Sequence, residues 1–225
     1  MIRIGVLASG SGSNLQAILD ACADGRIDGR VAAVVSNVPE ARALERARLA
    51  GAAAEVVASK GVADRAAYDR QLVAVLRRHG VDLVALAGYM RLVTPAFLEA
   101  FGPSLARNGC PAVMNIHPAL LPSFPGLRAQ RQALDYGVRF SGCTVHFVDA
   151  GTDTGPVVVQ AVVPVLPGDT EASLSARILR EEHRIYPEAL QWFAEGRLSV
   201  EGRRVTLRSA AAPTLDGVCN PSRDR

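Results

Sequence analysis

The chain has 225 residues, 49% hydrophobic and 21% charged, and folding at this length hides roughly 70% of the extended surface. That composition supports a large core and excludes disordered and collagen-like classes. Its 25 basic and 22 acidic residues leave a net charge of +3 without a long run of either sign, so composition does not point to nucleic-acid binding.

Ile2 to Ala8 reads as a strand, Ser9-Gly10-Ser11-Gly12-Ser13-Asn14 as a tight turn, and Leu15 onward as a helix. The first apolar run is broken by glycine and serine too soon for a signal segment or a membrane span. The alternation repeats: strand Val31–Ser36 and helix Ala41–Ala50, strand Ala54–Val57 and helix Asp64–His79, strand Val81–Ala87 and helix Pro95–Phe101. Such alternation predicts an α/β fold, Rossmann-like, with a mostly parallel sheet and helices on both faces. The pattern loosens from Gly102, re-forms as a strand over Ala112–Ile116, and enters the proline-rich loop His117 to Gly126. Two further strands are expected at Cys143–Val148 and Val157–Val165, then a long helix over Glu171–Glu195 that Pro187 kinks or breaks. One domain is expected over 1–208, with a nucleotide- or phosphate-binding half at 1–101 and a catalytic half at 102–208; residues 209–225 read as a flexible tail.

Four cysteines, Cys22, Cys110, Cys143 and Cys219, are too scattered for a C-x-x-C pair or a disulfide framework, and reduced thiols in a cytoplasm fit them. All basic residues except Lys60 are arginine.

Gly10 and Gly12 let the first turn close tightly, while Ser11, Ser13 and Asn14 bring amides and hydroxyls to a helix N-terminus, where an anion is favoured. A plain capped turn uses the same residues. The segment lacks the third glycine and the ribose-binding acid of a dinucleotide fingerprint, and the Lys-Ser or Lys-Thr of a Walker A loop. In Asn115-Ile116-His117, alternation directs Asn115 and His117 to one side, a donor pair suited to a developing oxyanion. A histidine beside proline also fits a packed or surface role. Asp153 lies in a glycine-rich loop with Asp149, where it either forms an Asx-type turn or faces His117 and favours its charged form. His146 reads as a satisfied core histidine and His79 as a favourable charge at a helix C-terminus. A metal site from His117, His146 and Asp153 matches no recognised zinc spacing, so no metal is expected.

Together, Ser9 to Ile18, Ala87-Gly88-Tyr89-Met90-Arg91, Met114 to Pro122, and His146-Phe147-Val148 through Asp153-Thr154-Gly155-Pro156 resemble the phosphoribosylglycinamide formyltransferase family over about the first two hundred residues. The resemblance implies the formyltransferase fold, with a long C-terminal helix and short strands. It implies formyl transfer from 10-formyltetrahydrofolate to glycinamide ribonucleotide in purine biosynthesis. By the same resemblance Asn115, His117 and Asp153 are catalytic, and Gly12, Ser13, Asn14 and Glu182 hold the ribonucleotide. Arg65, Met90, Arg91, Leu92 and Val93, with Asn115, Asp149, Ala150, Gly151 and Thr152, face the folate, and the resemblance thereby adds folate binding to the catalytic half at 102–208. The stretch from Gly102 to Val113 departs from the family pattern in being longer and carrying two extra prolines.

Small-molecule substrates are therefore expected, without nucleic acid or membrane, in a cytoplasmic monomer or homodimer. The alternatives are a formyltetrahydrofolate deformylase or other formyl-folate enzyme, and a nonenzymatic folate or nucleotide sensor. A regulatory domain at the N-terminus and an RNA-binding domain at the C-terminus, marks of other formyl-folate enzymes, are not expected. A nicotinamide oxidoreductase is disfavoured by the incomplete glycine fingerprint.

Overall fold

The computed structural model describes residues 1–208 and the backbone of 219–220. Its main sheet has eight strands: β1 (Ile2–Leu7), β2 (Gly29–Ser36), β3 (Ala53–Val56), β4 (Leu83–Leu86), β5 (Val113–His117), β6 (Phe140–Phe147), β7 (Val157–Pro164) and β10 (Cys219–Asn220). They lie in the order β10-β7-β6-β5-β4-β1-β2-β3. The neighbours from β5 through β3 are parallel, whereas β6, β7 and β10 continue the sheet antiparallel. A separate hairpin joins β8 (Leu198–Glu201) to β9 (Arg204–Leu207). Apart from the backbone pairing of Cys219–Asn220 with β7, the segment expected to be a flexible tail lies outside the described residues.

The central strands are buried on both faces, as parallel strands covered by helices must be: Ile4, Val6 and Leu7 of β1 and Leu83–Ala85 of β4 have no exposed surface. Helix α1 (Ser13–Ala23) contacts both α2 (Arg42–Leu49) and α6 (Glu171–Ala194), while α3 (Arg65–Arg78) packs with α4 (Pro95–Ala100). The change of side follows from right-handed crossovers, because the chain steps outward through β1, β2 and β3 and then returns to β4.

Helix α6 is one continuous helix through Pro187, so no break occurs there. Proline removes one backbone bond, but its neighbours Ile185, Tyr186, Ala189 and Leu190 are all buried and hold the helix against the core. Thr170 and Ser173 form a reciprocal cap at its start, and Arg177 holds the Asp169 carboxyl well below the usual carboxylate range. An additional helix, α5 (Ala129–Tyr136), follows the proline-rich loop.

The long stretch after Gly102 has a defined shape. It forms a 3-10 turn at Leu105–Arg107, and Arg107 donates back to the Gly102 carbonyl at 2.6 Å. Asn108 donates to the Gly196 carbonyl and accepts from the Val200 amide, which docks the segment beside β8. No helix of the described residues is long and apolar enough to cross a membrane.

Candidate active site

Leu7, Leu86 and Asn115 stand in one row across β1, β4 and β5. Neighbouring strands are about 4.8 Å apart, so the turn leaving β1 and the end of β5 lie roughly 10 Å from each other on the same sheet edge. The carboxyl ends of parallel strands are where open α/β sheets bind ligands.

The turn after β1 is a cradle. Gly12 has φ of 71°, and a Cβ there would lie 2.9 Å from Ala43 Cα, so only glycine lets the turn pack against α2. Helix α1 then begins without a side-chain cap or an acidic residue in its first turn, leaving its first amides available to an anion. Ser9–Asn14, Ala87, Gly88 and Met90 line a cavity of 260 Å³. Ser9 Oγ accepts from the Met90 amide at 2.9 Å and donates to Asn37 Oδ1 at 2.6 Å, joining the cradle to the loop after β4.

Asn14 and Glu182, which the family resemblance assigned separately to the ribonucleotide, are in contact: Asn14 Nδ2 donates to Glu182 Oε2 at 2.7 Å. Asn14 Oδ1 is buried with no hydrogen-bond partner, so the pair offers an acceptor on each residue to a polyhydroxylated ligand. Glu182 lies on the stripe Leu174, Ile178, Ile185, Ala189 of α6, and burial pushes its carboxyl above the usual range, offset in part by the Asn14 amide. A carboxylate in the middle of an apolar stripe is a signal visible in sequence. Arg46 was not singled out from sequence, yet it donates to the Ser11 carbonyl at 2.9 Å and to Gln16 at 2.8 Å, bringing a cation to the cradle.

The three polar residues converge. His117 Nδ1 is 3.3 Å from Asp153 Oδ2, and Asn115 Nδ2 is 3.5 Å from Asp153 Oδ1. His117 is 4% exposed, and its Nε2 lies 2.9 Å from the Phe124 carbonyl oxygen. Both ring nitrogens thus face acceptors, an environment that the doubly protonated ring satisfies in full. Asp153 adopts φ of 54° and accepts from the Gly126 amide at 2.8 Å.

His146 is buried beside them. Its Nδ1 donates to the Phe147 carbonyl at 2.9 Å, which leaves Nε2 to accept from Asn115 Nδ2 at 3.2 Å. Desolvation pushes the His146 pKa down and keeps the ring in this neutral acceptor form. His146 is therefore satisfied, as read from sequence, and it also orients the Asn115 amide. No group of three or more His, Cys, Asp or Glu residues among the described residues has the geometry to hold a metal ion.

The residues expected to face folate fall into two groups. Arg65 donates to the Leu92 carbonyl at 2.9 Å, and the Arg91 guanidinium lies 4.6 Å from the centre of the Tyr68 ring. Met90 and Leu92 are exposed, whereas Val93 is buried. In the other group Asp149 Oδ1 accepts from the Gly151 amide and from Thr154 Oγ1, shaping the loop through Ala150 and Thr152 that delivers Asp153. No hydrogen bond among the described residues joins the two groups. A second cavity, of 380 Å³, is lined by Ile2, Asp82, Arg107, Cys110 and Phe193 among others, and by none of the expected site residues.

Residues 2–190 match the family described as formyl transferase. The chain is 45% identical over 212 residues to phosphoribosylglycinamide formyltransferase of Escherichia coli strain K12, covering 94% of this chain and 96% of that protein. Among solved structures, glycinamide ribonucleotide transformylase 1 from Symbiobacterium toebii superposes with a TM-score of 0.88 at 59% identity, covering 93% of this chain and 95% of that one. A formyltetrahydrofolate deformylase from Pseudomonas syringae pv. tomato superposes at 0.81 with 24% identity over 92% of this chain and 66% of that one, a likeness of fold alone.

Proposed function

We infer the activity from the premise that the chain belongs to the formyl transferase family: it formylates glycinamide ribonucleotide in purine biosynthesis. The family implies a formyl-folate co-substrate, which we take to be 10-formyltetrahydrofolate, with N-formylglycinamide ribonucleotide and tetrahydrofolate as products. The observation that carries this reading is the convergence of Asn115, His117 and Asp153 on the sheet edge that also bears the uncapped start of α1.

The ribonucleotide phosphate sits on the amides of Gly12, Ser13 and Asn14, with Arg46 adding charge, and the ribose hydroxyls meet Glu182 and Asn14. The folate lies between the Arg65 and Met90–Val93 group and the Asp149–Thr152 loop, with Asn115 at its reactive end. An α-amine with a pKa near ~8 is about a tenth unprotonated at neutral pH, so the acceptor nitrogen needs no strong base. The harder task is the negative charge that grows on the formyl oxygen. Asn115 Nδ2–H and His117 Nε2–H are the donors for it, the formyl oxygen replacing Asp153 Oδ1 as acceptor of the second amide proton and the Phe124 carbonyl as acceptor of the histidine proton. Asp153 stabilises the charged ring and takes part in proton movement to the leaving folate nitrogen. His146 keeps the Asn115 amide aimed.

Purified protein incubated with 10-formyltetrahydrofolate, with and without glycinamide ribonucleotide, tests the reading. Tetrahydrofolate is expected only when the ribonucleotide is present. Release without it would make water the acceptor and the protein a deformylase, and no release under either condition would make it a binding protein.

A further inference from the structure

We propose that Thr144 and Gln160 are positioning residues for the catalytic histidine and aspartate, acting through the loop that follows β5; this rests on the formyl-transfer reading above. Thr144 pairs with His117 on one side and with Gln160 on the other, so the three side chains form a row on one face of the sheet. Their neighbours Cys143, Val145 and Phe147 point into the core instead.

Thr144 is fully buried, and its hydroxyl has no unused capacity. Oγ1 donates to the Ala119 carbonyl at 2.7 Å and accepts from the Leu121 amide at 3.0 Å and from Gln160 Nε2 at 2.9 Å. One hydroxyl proton and two lone pairs are all that a threonine offers. Gln160 Nε2 also donates to the Leu121 carbonyl at 2.8 Å. Leu121 is therefore held at both its amide and its carbonyl, and Ala119 at its carbonyl.

The held segment leads, a few residues on, to the two backbone groups that touch the reacting residues. Phe124 supplies the carbonyl that accepts from His117, and Gly126 the amide that donates to Asp153. A sheet face that only had to be filled would be served by apolar side chains. Here two polar side chains grip loop backbone at one end, and the loop's other end sets the imidazole and the carboxylate. Displacing reacting groups by about 1 Å costs on the order of a hundredfold in rate, so a loop that loses its anchor lowers turnover although no catalytic atom has been removed.

The test compares Thr144→Val, Thr144→Ser and Gln160→Met with the parent protein. Thr144→Val keeps the shape and removes donor and acceptor, Thr144→Ser keeps the hydroxyl, and Gln160→Met keeps the length and removes the amide. Thr144→Val and Gln160→Met are expected to lower kcat about ten- to a hundredfold with little change in KM for the ribonucleotide, and Thr144→Ser to restore most of it. Hydrogen exchange on the ligand-free proteins gives a reading independent of activity: amides 119–126 should exchange faster in the two impaired variants and not in Thr144→Ser, with exchange elsewhere unchanged. If Thr144→Val fails to fold, Gln160→Met decides. The proposal is overturned if folded variants keep parental kcat, if exchange in 119–126 is unchanged, or if Thr144→Ser is as impaired as Thr144→Val. A parent protein without formyl transfer would count against the functional reading, while the exchange data would still judge the anchor.

Discussion

At the scale of single residues, the site separates groups that hold charge from groups that hold geometry. Asn115→Ala and His117→Asn each remove one proposed oxyanion donor, and each is expected to lower kcat by about a hundredfold to a thousandfold with substrates saturating. Steady-state assays check this, and near-normal turnover in either variant would remove the donor-pair mechanism. Glu182 gives a pH-dependent prediction. Its folded-state pKa is raised by burial, so between the ordinary carboxylate range and that raised value the native state binds more protons than the unfolded chain, and stability falls as pH rises through the window. Glu182→Gln abolishes this slope and leaves the variant the more stable at neutral pH, with a rise in Tm on the order of a few degrees. The same change raises KM for the ribonucleotide, because the carboxylate beside Asn14 is lost. Denaturant titrations across roughly pH 4 to 8, with ribonucleotide KM at neutral pH, test both halves. The nearness of Asn115, His117 and Asp153 was legible because residue type and flanking motif mark them, and Glu182 was picked out through the family resemblance alone. Thr144 and Gln160 were not, since a buried threonine and a strand glutamine acquire meaning only from the loop that packs on them.

At the scale of elements, the turn between β1 and α1 depends on backbone conformation. Gly12→Ala places a Cβ at φ of 71° and 2.9 Å from Ala43, which is expected to cost about 1–3 kcal/mol. Ribonucleotide affinity should fall with it, because the α1 amides shift with the turn; chemical denaturation and KM for the ribonucleotide measure the two effects. Strands and helices from Ile2 to Phe101 could be read from sequence because β1, β2 and β4 are short apolar runs buried in the sheet and a glycine or polar turn follows each, while β3, half-buried at the sheet edge, keeps the same alternation with its helices. Helix α5 could not. Its sequence AQRQALDY buries little more than Ala129 and Ala133, and it is bounded by Arg128 and Gly137, both with positive φ, so neither an apolar stripe nor a side-chain cap announced it. The long helix α6 was legible from its apolar stripe, and of the kink or break expected at Pro187 the break does not occur, because tertiary burial outweighs the local rule.

At the scale of the whole molecule, we propose that residues 1–208 act as one domain whose two sequence halves share one sheet and one core. Strand β4 of the first half pairs with β5 of the second, and α6, from the second half, packs on α1 of the first. Thermal unfolding followed by near- and far-ultraviolet circular dichroism is therefore expected to give coincident transitions, and neither 1–101 nor 102–208 alone should bind the ribonucleotide. Two separated transitions would count against this architecture. The hydrogen bond from Asn14 to Glu182 crosses 168 positions of sequence, and it has a temporal meaning during biosynthesis. At 5–20 residues per second, about 8–34 s pass on the ribosome between the addition of the amide and that of its carboxylate. Throughout that interval the nascent polypeptide carries the turn after β1 without the carboxylate that Asn14 meets, so on the ribonucleotide-binding reading proposed above, substrate capture is among the last properties the growing chain acquires.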